Sequence, residues 1–399
     1  MKDLKIFTTN IEDKALEQVN TLLEQEAFKN CKVRIMPDVH AGAGCVIGFT
    51  ANLGDKVIPN VVGVDIGCGV LCVALGKIDL DLEKLDNIIR TYIPSGLNVY
   101  DTAQYEFADF SKLKCFAELR NMDWLKNSLG TLGGGNHFIE VDADEKGNKY
   151  LVIHSGSRNL GKQVCDIYQE KAVKNCSYGK EMKEEADKYI AYCKENNMTQ
   201  CISSGLDNIR NKYKDKLKLP KDLCYIEGQV RDDYLHDMNI CQNFATQNRY
   251  RMAEQIVKYY FGKSIQDFTS FQCVHNYINF ADNIVRKGSI SAYKDEPLLI
   301  PINMRDGVIL GRGKGNSDWN YSAPHGAGRI MSRNQAREQL AMADYKSSMD
   351  GIYTTSVNEG TIDEAPMVYK PMDEIVKNIE GNVIIDKIIK PIYNFKASE

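Results

Sequence analysis

The side chains with chemical capacity in this sequence share a placement. In GVDIGCGV, residues 63–70, Asp65 and Cys68 stand three apart among Gly63, Gly67 and Gly69. The apolar run before them, VIPNVV, reads as a buried strand. One reading is a tight turn, with Asp65 capping it and Cys68 packed as a small apolar residue. The other is that carboxylate and thiol face one object, most simply a metal ion, which the glycines let the backbone approach.

The histidines widen the choice. They lie at 40, 137, 154, 236, 275 and 325. His40 is in MPDVHAGAG, His137 in GGGNHFIE, His154 in VIHSGSRNLG, His275 in CVHNY and His325 in APHGAGR. His236, in DYLHDM, falls on a predicted helix and reads as incidental. A lone histidine is ordinarily a satisfied core or surface residue. Five of them at strand ends or glycine turns form a pattern, because ligand-binding residues collect in loops at one edge of a sheet. One carboxylate, one thiolate and several imidazoles exceed what one tetrahedral ion needs, unless some are bystanders. A thiolate can bridge two ions, and a two-metal site for phosphoryl chemistry would use the whole set. Ligand softness favours zinc, while mixed O, N and S donors leave manganese open. His325 precedes a capped helix and is placed to meet phosphate. A neutral imidazole can also attack phosphorus.

The elements that position these residues read as mixed α and β. LKIFT, VRIM, CVIGFT, VVGV and GVLCVAL suggest closely spaced strands. Helices are expected over 14–27, 81–91, 115–128 and, at greater length, 229–261. KYLVIHSGSRNLG reads as strand, glycine loop and helix start, and FQCVH, PLLIPIN and GVILG as strands. Ser332 and Gln335 have capping-box spacing. The end, NVIIDKIIKPIYNF, alternates like an edge strand or two. Residues 179–222 are charged, helical and poor in apolar content, and read as an inserted helical arm. A solvated hairpin is the plain account of that insertion; its lysine-rich second half could instead track a phosphate backbone.

Composition narrows the class. The chain has 399 residues, 43% hydrophobic and 26% charged, which suits a globular fold with a sizeable core. A net charge of −4 does not fit a protein that coats nucleic acid by charge alone. The N-terminus shows no secretory h-region, and the longest apolar run is too broken to span a bilayer. The 12 cysteines are scattered without CxxC spacing, which suggests reduced thiols in a cytoplasmic setting and fails zinc-ribbon patterns. GRGKGNS lacks the end of a P-loop, and GTLGGGNH is not a dinucleotide fingerprint.

Taken in order, GVDIGCG, GGGNHFIEV, HSGSRNLG, VHNY, HGAGRIMSR, DEAPMVYK and the near-terminal Lys396 resemble the RtcB family of RNA ligases. The resemblance runs from MPDVHAGAGCVIG to Lys396. It implies the family's own α/β fold with a central metal-binding cleft. It implies joining of RNA ends bearing a 2′,3′-cyclic phosphate or 3′-phosphate to 5′-hydroxyl ends, with GTP and two Mn²⁺ ions, in RNA repair or tRNA processing. On the matching positions, Asp65, Cys68, His137, His154 and His275 would hold metal, with the Cys68 thiolate bridging. His325 would take GMP from GTP. Asn136, Glu140, Asn276, Met304, Gly326, Ala327, Gly328 and Lys396 would hold the nucleotide, with Arg158 and Arg329 as phosphate contacts. PINMRDG, residues 301–307, replaces the family's PGSMG-type segment, and Ala397 replaces a final glycine, which marks a divergent subgroup. Two other readings stay open: a metal-dependent phosphoesterase acting on RNA ends without guanylylation, and a non-catalytic RNA-binding relative. No motif identifies an activating protein partner.

Overall fold

A computed structural model describes residues 3–214 and 216–397. Along the chain the strands are β1 (Asp3–Ile6), β2 (Lys32–His40), β3 (Ile47–Asn52), β4 (Gly69–Lys77), β5 (Phe138–Ala143), β6 (Asn148–Ser155) and β7 (Ser270–Val274). They continue as β8 (Asn276–Asn279), β9 (Ile284–Lys287), β10 (Ser289–Ser291), β11 (Pro297–Asn303), β12 (Gly307–Gly313), β13 (Ser322–Pro324), β14 (Tyr353–Thr354) and β15 (Val383–Phe395). Among the described residues one sheet has the order β1-β2-β3-β9-β8. A larger one runs β11-β12-β15-β5-β6-β4-β7, and β10 pairs with β13. The fold is mixed α/β, as the interleaved sequence signals require.

The central strands of the large sheet are buried on both faces. On one, Leu71, Val73, Leu151 and Ile153 join Met252, Ala253 and Ile256 of the helix Gly228–Phe261. On the other, Val70, Cys72 and Val152 join Leu298, Ile300 and Ile309. Near-continuous apolar runs such as GVLCVAL follow from this double burial. The helix has 34 residues and ends where Gly262 takes a left-handed conformation with φ +65.

Several expectations need correction. VVGV is not a strand: Pro59–Val62 is a short helix with Pro59 at its first turn, closed by Gly63 at φ +102. Proline fixes φ and lacks an N–H, so the apolar run turns instead of pairing. The helix expected over 115–128 is reduced to Met122–Asn127, because Asn121 has φ +55 and the Asp237 carboxylate captures the N–H groups of Lys114 and Cys115. The C-terminal segment is no edge. β15 is a single strand of 13 residues between β12 and β5, with a register shift at Pro391 where the ladder lacks a donor. The capping box at Ser332 and Gln335 is formed. The twelve cysteines are free, and all but Cys201 are buried. Among the described residues, no helix is long and apolar enough to cross a membrane.

Candidate active site

Sheet topology brings the ligand-type residues together. Cys68 precedes β4, His137 precedes β5, His154 lies near the end of β6 and His275 follows β7. These strands are antiparallel neighbours, with Gly69 opposite Ser155 and Val274, and Phe138 opposite His154. The starts of β4 and β5 therefore meet the ends of β6 and β7 at one edge.

At that edge the donor atoms converge. Cys68 Sγ lies 3.5 Å from His137 Nε2 and 3.3 Å from His154 Nε2. His154 Nε2 is 3.3 Å from His275 Nε2, and His137 Nε2 is 3.1 Å from Asp65 Oδ2. The opposite ring nitrogens fix the tautomers: His137 Nδ1 donates to the Leu132 carbonyl at 2.9 Å, and His154 Nδ1 to the Asn136 carbonyl at 3.1 Å. Each Nε2 then presents its lone pair to the shared space. Burial pushes His154 and His275 well below the usual histidine range, so both are neutral. Burial, then the neighbouring Asp65, pushes the Cys68 thiol well up. Burial also pushes the Asp65 carboxyl up, but its neighbours, His137 first, then Cys68 and Arg158, bring it below its ordinary value. His275 Nδ1 is buried with no hydrogen-bond partner among the described residues.

Lone pairs, a carboxylate and a thiol facing one another are the donor set of a cation site. Cys68, His137 and His154 hold ligand atoms within 4.8 Å of one another. A cation there would also turn the thiol into a thiolate. The residues fit a divalent metal.

His325 stands next in a row of rings. Centroids are 5.3 Å apart from His137 to His154, 5.1 Å from His154 to His275 and 4.8 Å from His275 to His325. Its Nδ1 donates to Asp38 Oδ2 at 2.6 Å, and its backbone N–H reaches the same oxygen at 3.1 Å. Asp38 is fully buried. The bond fixes the ring orientation and leaves Nε2 as the lone-pair nitrogen. Gly328, at φ +77, packs against the Asp38 carbonyl, where any Cβ would collide.

His325 faces a cavity of about 830 Å³, a size suited to a small organic ligand. Asn136, Glu140, Met304, Gly326, Ala327, Gly328 and Lys396 line it. Asn276 does not: its side chain donates to the Asp65 carbonyl at 3.2 Å and accepts from Gly288 N–H at 3.0 Å. Lys396 Nζ pairs with Glu364 at 2.9 Å. Arg329 also pairs with Glu364, at 3.2 Å, and lines the cavity. Arg158, at φ +56, donates to Thr131 and to the Gly96 carbonyl, and burial lowers its guanidinium to about 10. Asp142, on the same face of β5 as Glu140, is buried against it, and burial pushes both carboxyls up, Asp142 further.

Three partners were not named from sequence: Asp38, Glu364 and Tyr369, whose hydroxyl donates to Glu364 at 2.6 Å. Their only signal was membership of MPDVH and DEAPMVYK. The glycines of GVDIGCGV also need a correction. A Cβ on Gly67 would meet the Gln242 Cα at 2.8 Å, and one on Gly69 would strike the Cys273 carbonyl. These two glycines make room for the long helix and β7, not for a ligand.

This site lies within a chain whose residues 18–397 match the tRNA-splicing ligase RtcB family model. The chain belongs to the RtcB family. It is 31% identical to the RNA-splicing ligase RtcB of Escherichia coli K12, over 91% of this chain and 89% of that protein. It is 27% identical to the tRNA-splicing ligase RtcB of Archaeoglobus fulgidus, over 92% and 87%. It is 24% identical to that of Aeropyrum pernix, over 92% and 87%.

Proposed function

We propose that the chain is an RNA ligase, one catalytic unit over 1–399 with a helical insertion at 179–222. It joins 2′,3′-cyclic phosphate or 3′-phosphate RNA ends to 5′-hydroxyl ends in RNA repair or tRNA processing in the cytoplasm. The observation that carries this reading is an imidazole aligned by a buried carboxylate, beside a metal-type cluster and inside a nucleotide-sized cavity.

Asp65, Cys68, His137, His154 and His275 would hold two Mn²⁺ ions, which when bound neutralise phosphate charge and orient phosphorus for in-line displacement. Asn136, Glu140, Met304, Gly326, Ala327, Gly328 and Lys396 would hold GTP. Asn276 would serve from behind, through the backbone of Asp65. His325 Nε2 attacks the α-phosphorus: the N–P bond forms, the α–β P–O bond breaks, and pyrophosphate leaves. Asp38 keeps the Nδ1 proton and stabilises positive charge growing on the ring. The guanylate then passes to the RNA 3′-phosphate oxygen, which frees His325. Attack by the 5′-hydroxyl on the activated phosphorus forms the phosphodiester, and GMP leaves. A cyclic phosphate is first hydrolysed to the 3′-phosphate.

The test is a covalent-adduct assay with α-labelled GTP and Mn²⁺. Acid-labile label on the protein, absent in His325→Ala, is the expected result. A folded, metal-loaded protein without label would favour a phosphoesterase instead.

A further inference from the structure

Lys370 closes the DEAPMVYK segment, is 3% exposed and does not line the cavity. Its Nζ donates to the carbonyls of Asn10 at 2.8 Å, Pro37 at 2.9 Å and Val39 at 3.4 Å. An ammonium has three donors, and here each meets a backbone carbonyl. Pro37 and Val39 flank Asp38. The β2–β3 ladder is irregular between Ile35 and His40, where Pro37 supplies no N–H. Buried carbonyls at such a break need another donor, and Lys370 provides it.

The same residue also reaches the other half of the pair. Its backbone N–H donates to the Gly328 carbonyl at 3.0 Å, and Arg329 and Tyr369 form an adjacent antiparallel bridge. Gly328 lies three residues from His325 and against the Asp38 carbonyl. One lysine thus fastens the strand that carries Asp38 and the loop that carries His325.

We propose that Lys370 is a positioning residue for nucleotidyl transfer, holding the Asp38 and His325 backbones at the spacing their hydrogen bond requires. The proposal rests on His325 being the nucleophile. A lysine that only stabilised the fold would act regardless of what stands at position 38.

The experiment measures GTP affinity and the single-turnover rate of adduct formation at saturating GTP, with Mn²⁺-loaded protein. Lys370→Met and Lys370→Arg are each made alone and with Asp38→Asn. Lys370→Met should leave GTP affinity close to wild type and slow adduct formation by about 100-fold, the effect of misplacing a reacting group by about 1 Å. In the Asp38→Asn background it should add little, because coupled residues are not additive. Lys370→Arg, which keeps cationic donors, should retain more rate than Lys370→Met. Equal slowing in both backgrounds, or an unchanged rate, overturns the assignment. Where Lys370→Met does not fold, the Arg variant decides by the same comparison. An adduct that persists in His325→Ala overturns the nucleophile reading and this proposal together; an adduct that needs His325 but ignores Lys370 overturns this proposal alone.

Discussion

Cys68 and Asp38 each touch an imidazole of the candidate site: Cys68 the rings of His137 and His154, Asp38 that of His325. Cys68→Ala removes the sulfur on which two imidazole nitrogens converge. Metal content of the purified variant, measured by elemental analysis, should fall and label transfer should cease; full metal content with full activity would remove the thiolate from the site. Asp38→Asn keeps the shape but loses the charge that accompanies Nδ1. Adduct formation should slow by about 10²- to 10⁴-fold, the upper end being the effect of a triad aspartate changed to asparagine, with metal content intact. A wild-type rate would show that His325 needs no carboxylate. Cys68 and the histidines stood out in sequence because histidines are few and because Cys68, like five of them, sits at a strand end or glycine turn. Asp38 was not, although MPDVH was in view. Its bond to His325 spans 287 positions, and no local pattern encodes a contact of that range.

At the scale of elements, the pattern of apolar runs identified β4, β6 and β7 of the site and the long helix, while β5, behind the glycines of GTLGGGNH, was not named as a strand. The pattern failed where a proline or a distant side chain intervened, as at Pro59 and at Asn121 with Asp237. It also misplaced β15, because alternation reports which faces are wet and not how many neighbours a strand has. That strand delivers Lys396 to Glu364, which ties the C-terminus to the loop carrying Arg329. Burial alone would raise the Glu364 carboxyl, but Lys396, Arg333 and Arg329 bring it from 4.5 to about 2. A carboxyl depressed on folding adds stability above its unfolded value, and that stability is lost as pH falls toward the folded value. Wild type should therefore exceed Glu364→Gln most at neutral pH, and the margin should shrink as pH drops below 4.5 toward about 2. The pH-dependent part is on the order of 3 kcal/mol. Urea unfolding of both proteins from neutral to acid pH checks the sign, and a margin that grows on acidification would contradict the ion-pair account.

The whole molecule separates a body that holds the chemistry from an arm that does not. Helices Gly179–Glu195 and Ile202–Tyr213 pack on each other through Tyr189, whose hydroxyl reaches the Cys201 carbonyl. In the lysine-rich half of the arm, Arg210 pairs with Asp207, Lys212 with Glu185 and Lys218 with Glu181. Interleaved acids and partly paired lysines favour the solvated hairpin as the account of this stretch. The arm is also separable. Ser177 bridges Leu217, and the Cys176 carbonyl accepts from Lys218 N–H at 3.0 Å, so the chain leaves and re-enters the body at one point. Replacing residues 179–216 by a short glycine-serine link should therefore preserve metal content and GMP-adduct formation, because no site residue lies on the arm. Joining of RNA ends should keep the same salt dependence, since the eight basic residues of 179–216 are offset by seven acidic ones, which leaves little net charge to hold phosphate. A loss of joining together with a flatter salt slope, at unchanged adduct formation, would assign the arm to RNA after all, through charges released from their partners when RNA binds.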